Sequence, residues 1–97
     1  MEVKIKAIHF DVAEKLVGFI NKKAQKLSRH NENISAIEVT LKVVKPETAM
    51  NKEVGIKLLI PNQDDLFASK TADTFEEGVD LSIEALEKQL EKKKDKK

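Results

Sequence analysis

The chain contains no cysteine, tryptophan or tyrosine. Without cysteine it has no disulfide framework and no thiolate chemistry, which fits a reducing cytoplasm. Four phenylalanines are its entire aromatic content, and this disfavours a protein that stacks single-stranded bases on a sheet face. No apolar run approaches the roughly 18 residues that a membrane span needs, and no signal-peptide pattern opens the chain. We therefore expect a cytoplasmic protein that does not enter a membrane.

Sequence patterns for catalysis and metal binding are also missing. His9 and His30 flank the first predicted helix at opposite ends, too far apart to share a metal ion without another ligand. The chain has no glycine-rich phosphate loop, no nucleophile elbow and no dinucleotide fingerprint. We therefore predict that the protein is not an enzyme and that it uses neither a cofactor nor a metal.

Length and charge favour one small domain with a highly charged surface. The chain has 97 residues, of which 40% are apolar and 36% are charged, so it can form one modest core. The net charge is only +1, so attraction to nucleic acid would require charge that is segregated on the surface. We predict a single domain over residues 1–97.

Alternating and helical apolar patterns predict six elements in the order β-α-β-β-β-α. The strands are predicted at residues 3–7, 34–45, 52–60 and 65–70, and the helices at residues 12 to about 29 and from about 74 onwards. Pro46 ends the second strand, and the segment from Pro61 to Asp64 forms a turn. A right-handed crossover from the first strand to the second places both helices on one face of a four-stranded mixed sheet, which is an α+β fold.

The predicted helices have recognisable starts and apolar faces. Asp11 is expected to cap the first helix, and Gly18 is expected to allow close packing against the sheet. The first apolar stripe consists of Ala13, Leu16, Val17, Ile20, Ala24 and Leu27. Two capping boxes overlap before the second helix, and we favour Thr74 with Glu77 over Asp73 with Glu76. The second stripe consists of Phe75, Val79, Ile83, Leu86 and Leu90. No apolar residue follows, so residues 91–97 are predicted to fray as a basic tail.

Charge is segregated along both predicted helices. On the first helix Lys15, Lys22, Lys26 and Arg29 share a narrow sector opposite the apolar stripe, with Lys23 beside them. On the second helix Lys88 and Lys92 lie one turn apart, and the tail adds Lys93, Lys94, Lys96 and Lys97. An acidic stripe consists of Glu77, Asp80, Glu84, Glu87 and Glu91, and it indicates a solvated surface rather than catalytic carboxylates. We expect the outer surfaces of two adjacent helices to merge into one phosphate-binding patch.

Three features give the chain a family resemblance. They are Ala68-Ser69 in the last predicted strand, a helix start at Thr74, and the run from Leu86 to Lys92, which reads LEKQLEK. With the basic residues around Leu27, they show that the chain resembles the short ribosome hibernation-promoting factors and the ribosome-associated inhibitor proteins. The last run is similar to the family pattern Leu-Glu-Arg-Gln-Leu-x-Lys. The resemblance covers essentially the whole chain.

The resemblance implies a fold similar to a double-stranded RNA-binding domain and a partner, the small ribosomal subunit with its 16S-type rRNA. Family members bind the decoding region, where messenger RNA and the A- and P-site transfer RNAs sit, so the implied function is inhibition of translation in stationary phase or under stress. The implied rRNA contacts are Lys23, Lys26, Arg29, Lys88 and Lys92; Lys15 and Lys22 rest on the helical-face argument alone. The protein is expected to be a monomer when it is not on the ribosome.

The chain departs from the family pattern in three places. It has Thr74-Phe75-Glu76 where the family has Asp-x-Tyr, and Ala85 where the family has a lysine. Together with the acidic stripe, these changes imply weaker binding by the second helix. The chain also stops after that helix, so the C-terminal domain with which long members pair ribosomes is not expected.

Two other functions fit the same residues. One is a double-stranded RNA-binding module that is not tied to ribosomes. The other is a protein-interaction module that uses the acidic stripe and the open face of the sheet, where Leu59 and Phe67 are expected to lie.

Overall fold

The computed structural model describes residues 2–8, 10–31, 33–44 and 51–95, with the backbone alone at residues 30 and 93–95. The elements are β1 (Glu2–Ala7), α1 (Glu14–His30), β2 (Ala36–Val43), β3 (Lys52–Leu59), β4 (Leu66–Ala72) and α2 (Phe75–Asp95). The predicted order β-α-β-β-β-α is therefore confirmed. The predictions that concern His9, Lys45, Pro46, Lys96 and Lys97, and those for the side chains of His30, Lys93 and Lys94, lie outside the described residues.

The four strands form one mixed sheet in the order β1-β2-β3-β4. β1 is parallel to β2 because α1 crosses over between them, and the other neighbours are antiparallel. One row of paired residues crosses the sheet from Ile5 through Val39 and Ile56 to Ala68. Alternate residues along each strand share a face, so this register places the apolar side chains of all four strands on the same side.

Both helices cover that apolar face, as the sequence predicted. From α1 the buried residues are Leu16, Ile20, Ala24 and Leu27, and from α2 they include Val79, Leu86 and Leu90. They form a single core cluster with the inward residues of β2, β3 and β4. Burial of each large aliphatic side chain contributes roughly 1.5–3 kcal/mol. Among the described residues no helix has the length and apolar character that crossing a bilayer requires.

The start of α1 differs from the prediction. The N-cap is Ala13, in an extended conformation and without a side-chain capping bond, and the amides of Leu16 and Val17 both donate to its carbonyl. Asp11 lies two residues before this position and is not the cap. Phe10 and Val12 pack against the core, and this packing delays the first helical turn. Ala13 itself is exposed and does not belong to the apolar face.

The other boundaries follow from local hydrogen bonds. α1 ends at Asn31, which donates from Nδ2 to the carbonyl of Leu27 at 3.0 Å. The turn before β4 contains Asn62 with a φ of 62°, the left-handed conformation that asparagine tolerates. Thr74 is the cap of α2, as predicted, since its Oγ1 accepts from the amide of Glu77 at 3.1 Å.

α2 includes the first part of the predicted basic tail. The helix continues to Asp95, so residues 91–95 have helical backbone, and the fraying of residues 91–97 stays a prediction. Each residue added to an existing helix gains a backbone hydrogen bond, so a helix extends beyond its last buried side chain when no breaker intervenes.

Glycine has opposite roles in the two helices. Gly18 does not pack against the sheet, contrary to the prediction: it is exposed, and a Cβ there would meet nothing within 4 Å. Gly78, in contrast, lies where a Cβ would be 2.6 Å from Cγ2 of Val54. One turn later, Ser82 is fully buried and donates to the carbonyl of Val54 at 3.3 Å. α2 therefore approaches β3 through two of its smallest residues.

The open face of the sheet carries the exposed phenylalanine that the sequence predicted. Phe67 is 58% exposed, and its ring lies over Gly55, where a Cβ would be 3.2 Å from Cζ. The ring thus covers a strand position that has no side chain of its own.

The two helical glycines give a matched test of the packing. Gly18→Ala should raise the free energy of unfolding by up to about 1 kcal/mol, because alanine favours the helix and meets no neighbour. Gly78→Ala should lower it, since overpacking against Val54 costs roughly 1–3 kcal/mol. Urea denaturation of both variants and the wild type checks this. Equal stability of the two variants would contradict the close approach of α2 to β3.

Candidate nucleic-acid interface

Four cations lie on the same solvent side of α1, and we call them the outer row. They are Lys15, Lys22, Lys26 and Arg29, and all four side chains are exposed. The helical repeat places them within a sector of about 60°, opposite the buried face that starts at Leu16. The only carboxylate of α1 is Glu14, in the first turn. Such a row attracts phosphates along the length of the helix.

Lys23, which the sequence placed beside this row, is held by two neighbours. Its Nζ lies 3.0 Å from Oδ1 of Asp80 on α2 and 5.4 Å from the centroid of the Phe19 ring. The lysine side chain is 34% exposed and the aspartate side chain 51%. A phosphate that binds Lys23 must therefore compete with the Asp80 carboxylate for the same ammonium group.

The two helices start at the same end of the sheet and run side by side. Phe10, just before α1, stacks on Phe75, the first residue of α2, with ring centroids 5.2 Å apart and planes 11° apart. Farther along lies a small cleft of about 80 Å³ between the helices, the interhelix groove. It is lined by Lys23, Lys26, Leu27, Asp80, Ile83 and Glu87. Two lysines of α1 thus face two carboxylates of α2.

The predicted contacts on α2 lie on the far side of that helix. A second cleft of about 360 Å³, the edge groove, runs between the edge strand β4 and α2. It is lined by Lys70, Leu81, Glu84, Ala85, Lys88, Gln89 and Lys92. Gln89 also donates from Nε2 to the carbonyl of Phe67 at 3.1 Å, which ties α2 to β4.

The basic residues of the two helices therefore do not merge into one patch, contrary to the prediction. The acidic stripe comes between them, because Asp80 and Glu87 face α1 while Lys88 and Lys92 face β4. The helical layer instead carries two basic regions. The structure brings Lys23 and Lys26 together at one, with the rest of the outer row alongside, and Lys88 and Lys92 together at the other.

Lys70 is the cation of the edge groove that the sequence analysis did not single out. The sequence contained a signal for this residue, because Lys70 alternates with Leu66 and Ala68 along β4 and therefore lies on the same face of the strand. Both of those residues are buried. A lysine at a core-facing position near the end of a strand indicates an edge where the helical layer leaves the sheet partly open.

The arrangement suits electrostatic binding of an anion. Among the described residues, no group of three or more histidine, cysteine, aspartate or glutamate side chains could hold a metal ion. The charged groups that the helices present to solvent are ammonium, guanidinium and carboxylate groups. Lysine and arginine side chains of this kind contact phosphate oxygens without reading the base sequence.

Comparisons with known proteins agree on a family and a fold. The family model described as sigma 54 modulation protein / S30EA ribosomal protein matches residues 3–97. A ribosomal subunit interface protein from Coxiella burnetii is similar in structure, with a TM-score of 0.86, 25% sequence identity, and coverage of 99% of this chain and 100% of that one. The N-terminal domain of Thermus thermophilus Protein Y shares the fold, with a TM-score of 0.78, 15% identity, and coverage of 95% and 98%. Among curated protein sequences, none gives a significant match.

The competition at Lys23 gives a test by charge removal. Asp80→Asn should strengthen binding to a polyanion such as RNA about two- to five-fold, because an exposed ion pair contributes up to about 1 kcal/mol. The control is Glu91→Gln, which removes the same charge from the same helix at an exposed position. The measurement is the affinity of each variant for an RNA fragment at one salt concentration, compared with the affinity of the wild type. If the two variants gain equally, Asp80 acts only through net charge.

Proposed function

The chain belongs to the sigma 54 modulation protein / S30EA ribosomal protein family, and on that premise we propose that it binds the small ribosomal subunit and inhibits translation by occupancy. The family match covers residues 3–97, so the proposal concerns the whole fold. The similar protein from Coxiella burnetii is described as a ribosomal subunit interface protein, which supports a site where the two subunits meet. The proposed setting is the cytoplasm during stationary phase or stress.

The outer row of α1 is the observation that carries this function. Four exposed cations on one rigid helix face can follow the backbone of a folded rRNA, and no carboxylate interrupts the row. Lys23 joins them at the boundary with α2 when a phosphate replaces Asp80 as the partner of its ammonium group. Lys88 and Lys92 supply further contacts from the edge groove. The proposed rRNA contacts are thus Lys15, Lys22, Lys23, Lys26, Arg29, Lys88 and Lys92.

The proposed mechanism is competition for space in the decoding region. A bound domain that occupies the positions of messenger RNA and of the A- and P-site transfer RNAs prevents them from binding. This mechanism requires no chemical step, only a stable complex that dissociates when growth resumes. Most of the binding free energy comes from counterions released from rRNA, so affinity falls steeply with salt.

The acidic stripe limits how the protein can approach its target. RNA phosphates that contact the outer row are repelled if the molecule rotates toward Glu84 and Glu87 of α2. Like charges in opposition disfavour incorrect orientations more than they weaken the correct one. We therefore propose that the stripe orients the protein on the ribosome, at some expense of affinity.

Charge reversal on α1 tests ribosome binding. Lys26→Glu should weaken cosedimentation with small subunits in sucrose gradients and reduce the slope of log affinity against log salt by about 1. The control is Lys6→Glu, which makes the same charge change on the open face of the sheet, away from both helices. Wild-type protein that stays out of the 30S and 70S fractions at low salt would falsify the proposal.

The same pair of variants separates the alternative functions. A protein partner on the open sheet face would be sensitive to Lys6→Glu and insensitive to Lys26→Glu, the reverse of the proposed result. A double-stranded RNA-binding module that is not tied to ribosomes would bind a plain RNA duplex as tightly as it binds purified subunits. A mobility shift with the duplex therefore decides between a general and a ribosomal ligand.

Occupancy of the decoding region predicts competition with the substrates of translation. Small subunits that are loaded with messenger RNA and P-site transfer RNA should retain much less of the protein than empty subunits do, at the same salt concentration. Filter binding with labelled protein measures the difference. Equal retention on loaded and empty subunits would show that the protein binds the ribosome at another site.

A further inference from the structure

The edge groove contains more positive than negative charge. It is lined by three lysines, one from β4 and two from α2, against the single carboxylate of Glu84. All four charged side chains are exposed. Among the described residues, none of these lysines forms an ion pair with a carboxylate, whereas Nζ of Lys23 in the interhelix groove lies 3.0 Å from Oδ1 of Asp80. The ammonium groups therefore attract an anionic ligand that enters between β4 and α2.

The lining of the same groove also includes apolar side chains. Leu81 is 38% exposed, and with Phe67 it is one of two large apolar residues of the described chain that are exposed to this extent. Phe67 covers Gly55 on the other face of the sheet, whereas Leu81 lines the edge groove together with Ala85. A ligand that matches this surface has an apolar part next to its negative charges. A nucleotide meets this requirement through the face of its base.

Backbone amides on the edge of β4 add neutral donors. The carbonyl of Phe67 accepts from Gln89 of α2, so it points away from β3. In an antiparallel ladder the backbone groups of alternate residues point to the same side. The amides of Ser69 and Thr71 therefore lie on this outer edge, on either side of Lys70. Backbone N–H groups are common partners of nucleic-acid phosphates.

We infer that the edge groove binds one unpaired RNA strand, separately from the outer row of α1. Lys88 and Lys92 lie one helical turn apart, about 6 Å along the axis, and each faces one phosphate of the strand. Lys70, which lies on β4, contacts the same RNA strand, while Leu81 packs against a ribose or base of that RNA. The groove is a cleft of about 360 Å³ between α2 and the edge of β4, and the face of an RNA base can reach Leu81 there only if that base is unpaired.

This inference rests on the proposed function, because it takes RNA as the ligand of the protein. The inference adds Lys70 to the proposed RNA contacts. It also gives the protein a second RNA-binding region, which prefers a different form of RNA. The outer row binds along the backbone of folded rRNA, whereas the edge groove binds an RNA strand that is not base-paired. The acidic stripe between them keeps the two RNA segments apart.

Two substitutions in the full chain, one that removes a positive charge and one that removes a negative charge, test RNA binding by the edge groove. The probe is a short fluorescent oligouridine, and its anisotropy is measured over a series of salt concentrations. Lys70→Gln should weaken binding about two- to five-fold, the effect of one exposed ion pair, and lower the salt slope by about 1. Glu84→Gln should strengthen binding by a similar factor. Lys70→Arg should retain wild-type affinity because it keeps the charge.

The control is Lys6→Gln, an exposed lysine on the opposite edge strand whose side chain faces away from the helices. It should leave affinity almost unchanged. Thermal unfolding establishes that each variant is folded. The inference is overturned if wild type does not bind the oligomer, if Lys70→Gln behaves like Lys6→Gln, or if the Lys70 and Glu84 variants shift affinity in the same direction.

The proposed function has its own readout, the cosedimentation of wild-type protein with small subunits. Normal cosedimentation with no effect of Lys70→Gln on oligomer binding would leave the function in place and remove the groove from it. Oligomer binding at the groove without cosedimentation would support the groove as an RNA site and contradict the proposed binding to the small subunit. A duplex RNA that binds with the same sensitivity to Lys70→Gln would overturn the preference for an unpaired strand.

Discussion

The contact between α2 and Val54 of β3 fixes the orientation of the whole second helix. Gly78 comes so close to this valine that a Cβ would be 2.6 Å from its Cγ2, and the buried Ser82 hydroxyl donates to its carbonyl one turn later. Larger side chains at either position would hold the helix away from the sheet. Because the contact allows one rotational setting of α2, it also determines where every charged residue of that helix points. Asp80 faces α1, and Lys88 faces β4.

That setting gives the helical layer its charge pattern. With Val79 and Leu86 in the core, the acidic stripe has to lie on the outer surface and on the side near α1. The carboxylates of Asp80 and Glu87 then neutralise part of the basic charge of α1, and the Lys23–Asp80 pair links the two helices. A net charge of +1 is thus divided into two basic regions with an acidic one between them, and the potential that a ligand meets depends on its direction of approach.

The sequence predicted those parts of the fold that depend on period and on local hydrogen bonds. The order of the elements, the exposure of Phe67 and the cap at Thr74 were all correct. The errors occur where tertiary contacts override local preference. Asp11 was a reasonable cap, but the packing of Phe10 moved the start of α1 to Glu14. The sequence analysis assigned close packing to Gly18, whereas the structure shows it at Gly78. Helix propensity indicates that a glycine within a helix is unfavourable, but it does not show which residue packs against that glycine.

The same division applies to the candidate site. The sequence by itself determined the order of elements, the family resemblance, and the residues that form a cationic row on α1, because each depends only on spacing along the chain. Only the tertiary structure decided that Lys88 and Lys92 lie apart from this row, that Asp80 holds Lys23, and that Lys70 joins a groove with α2. Spacing gives the relative directions of side chains on one helix. The direction in which that helix faces is set by its packing against the sheet, which involves residues far away in the sequence.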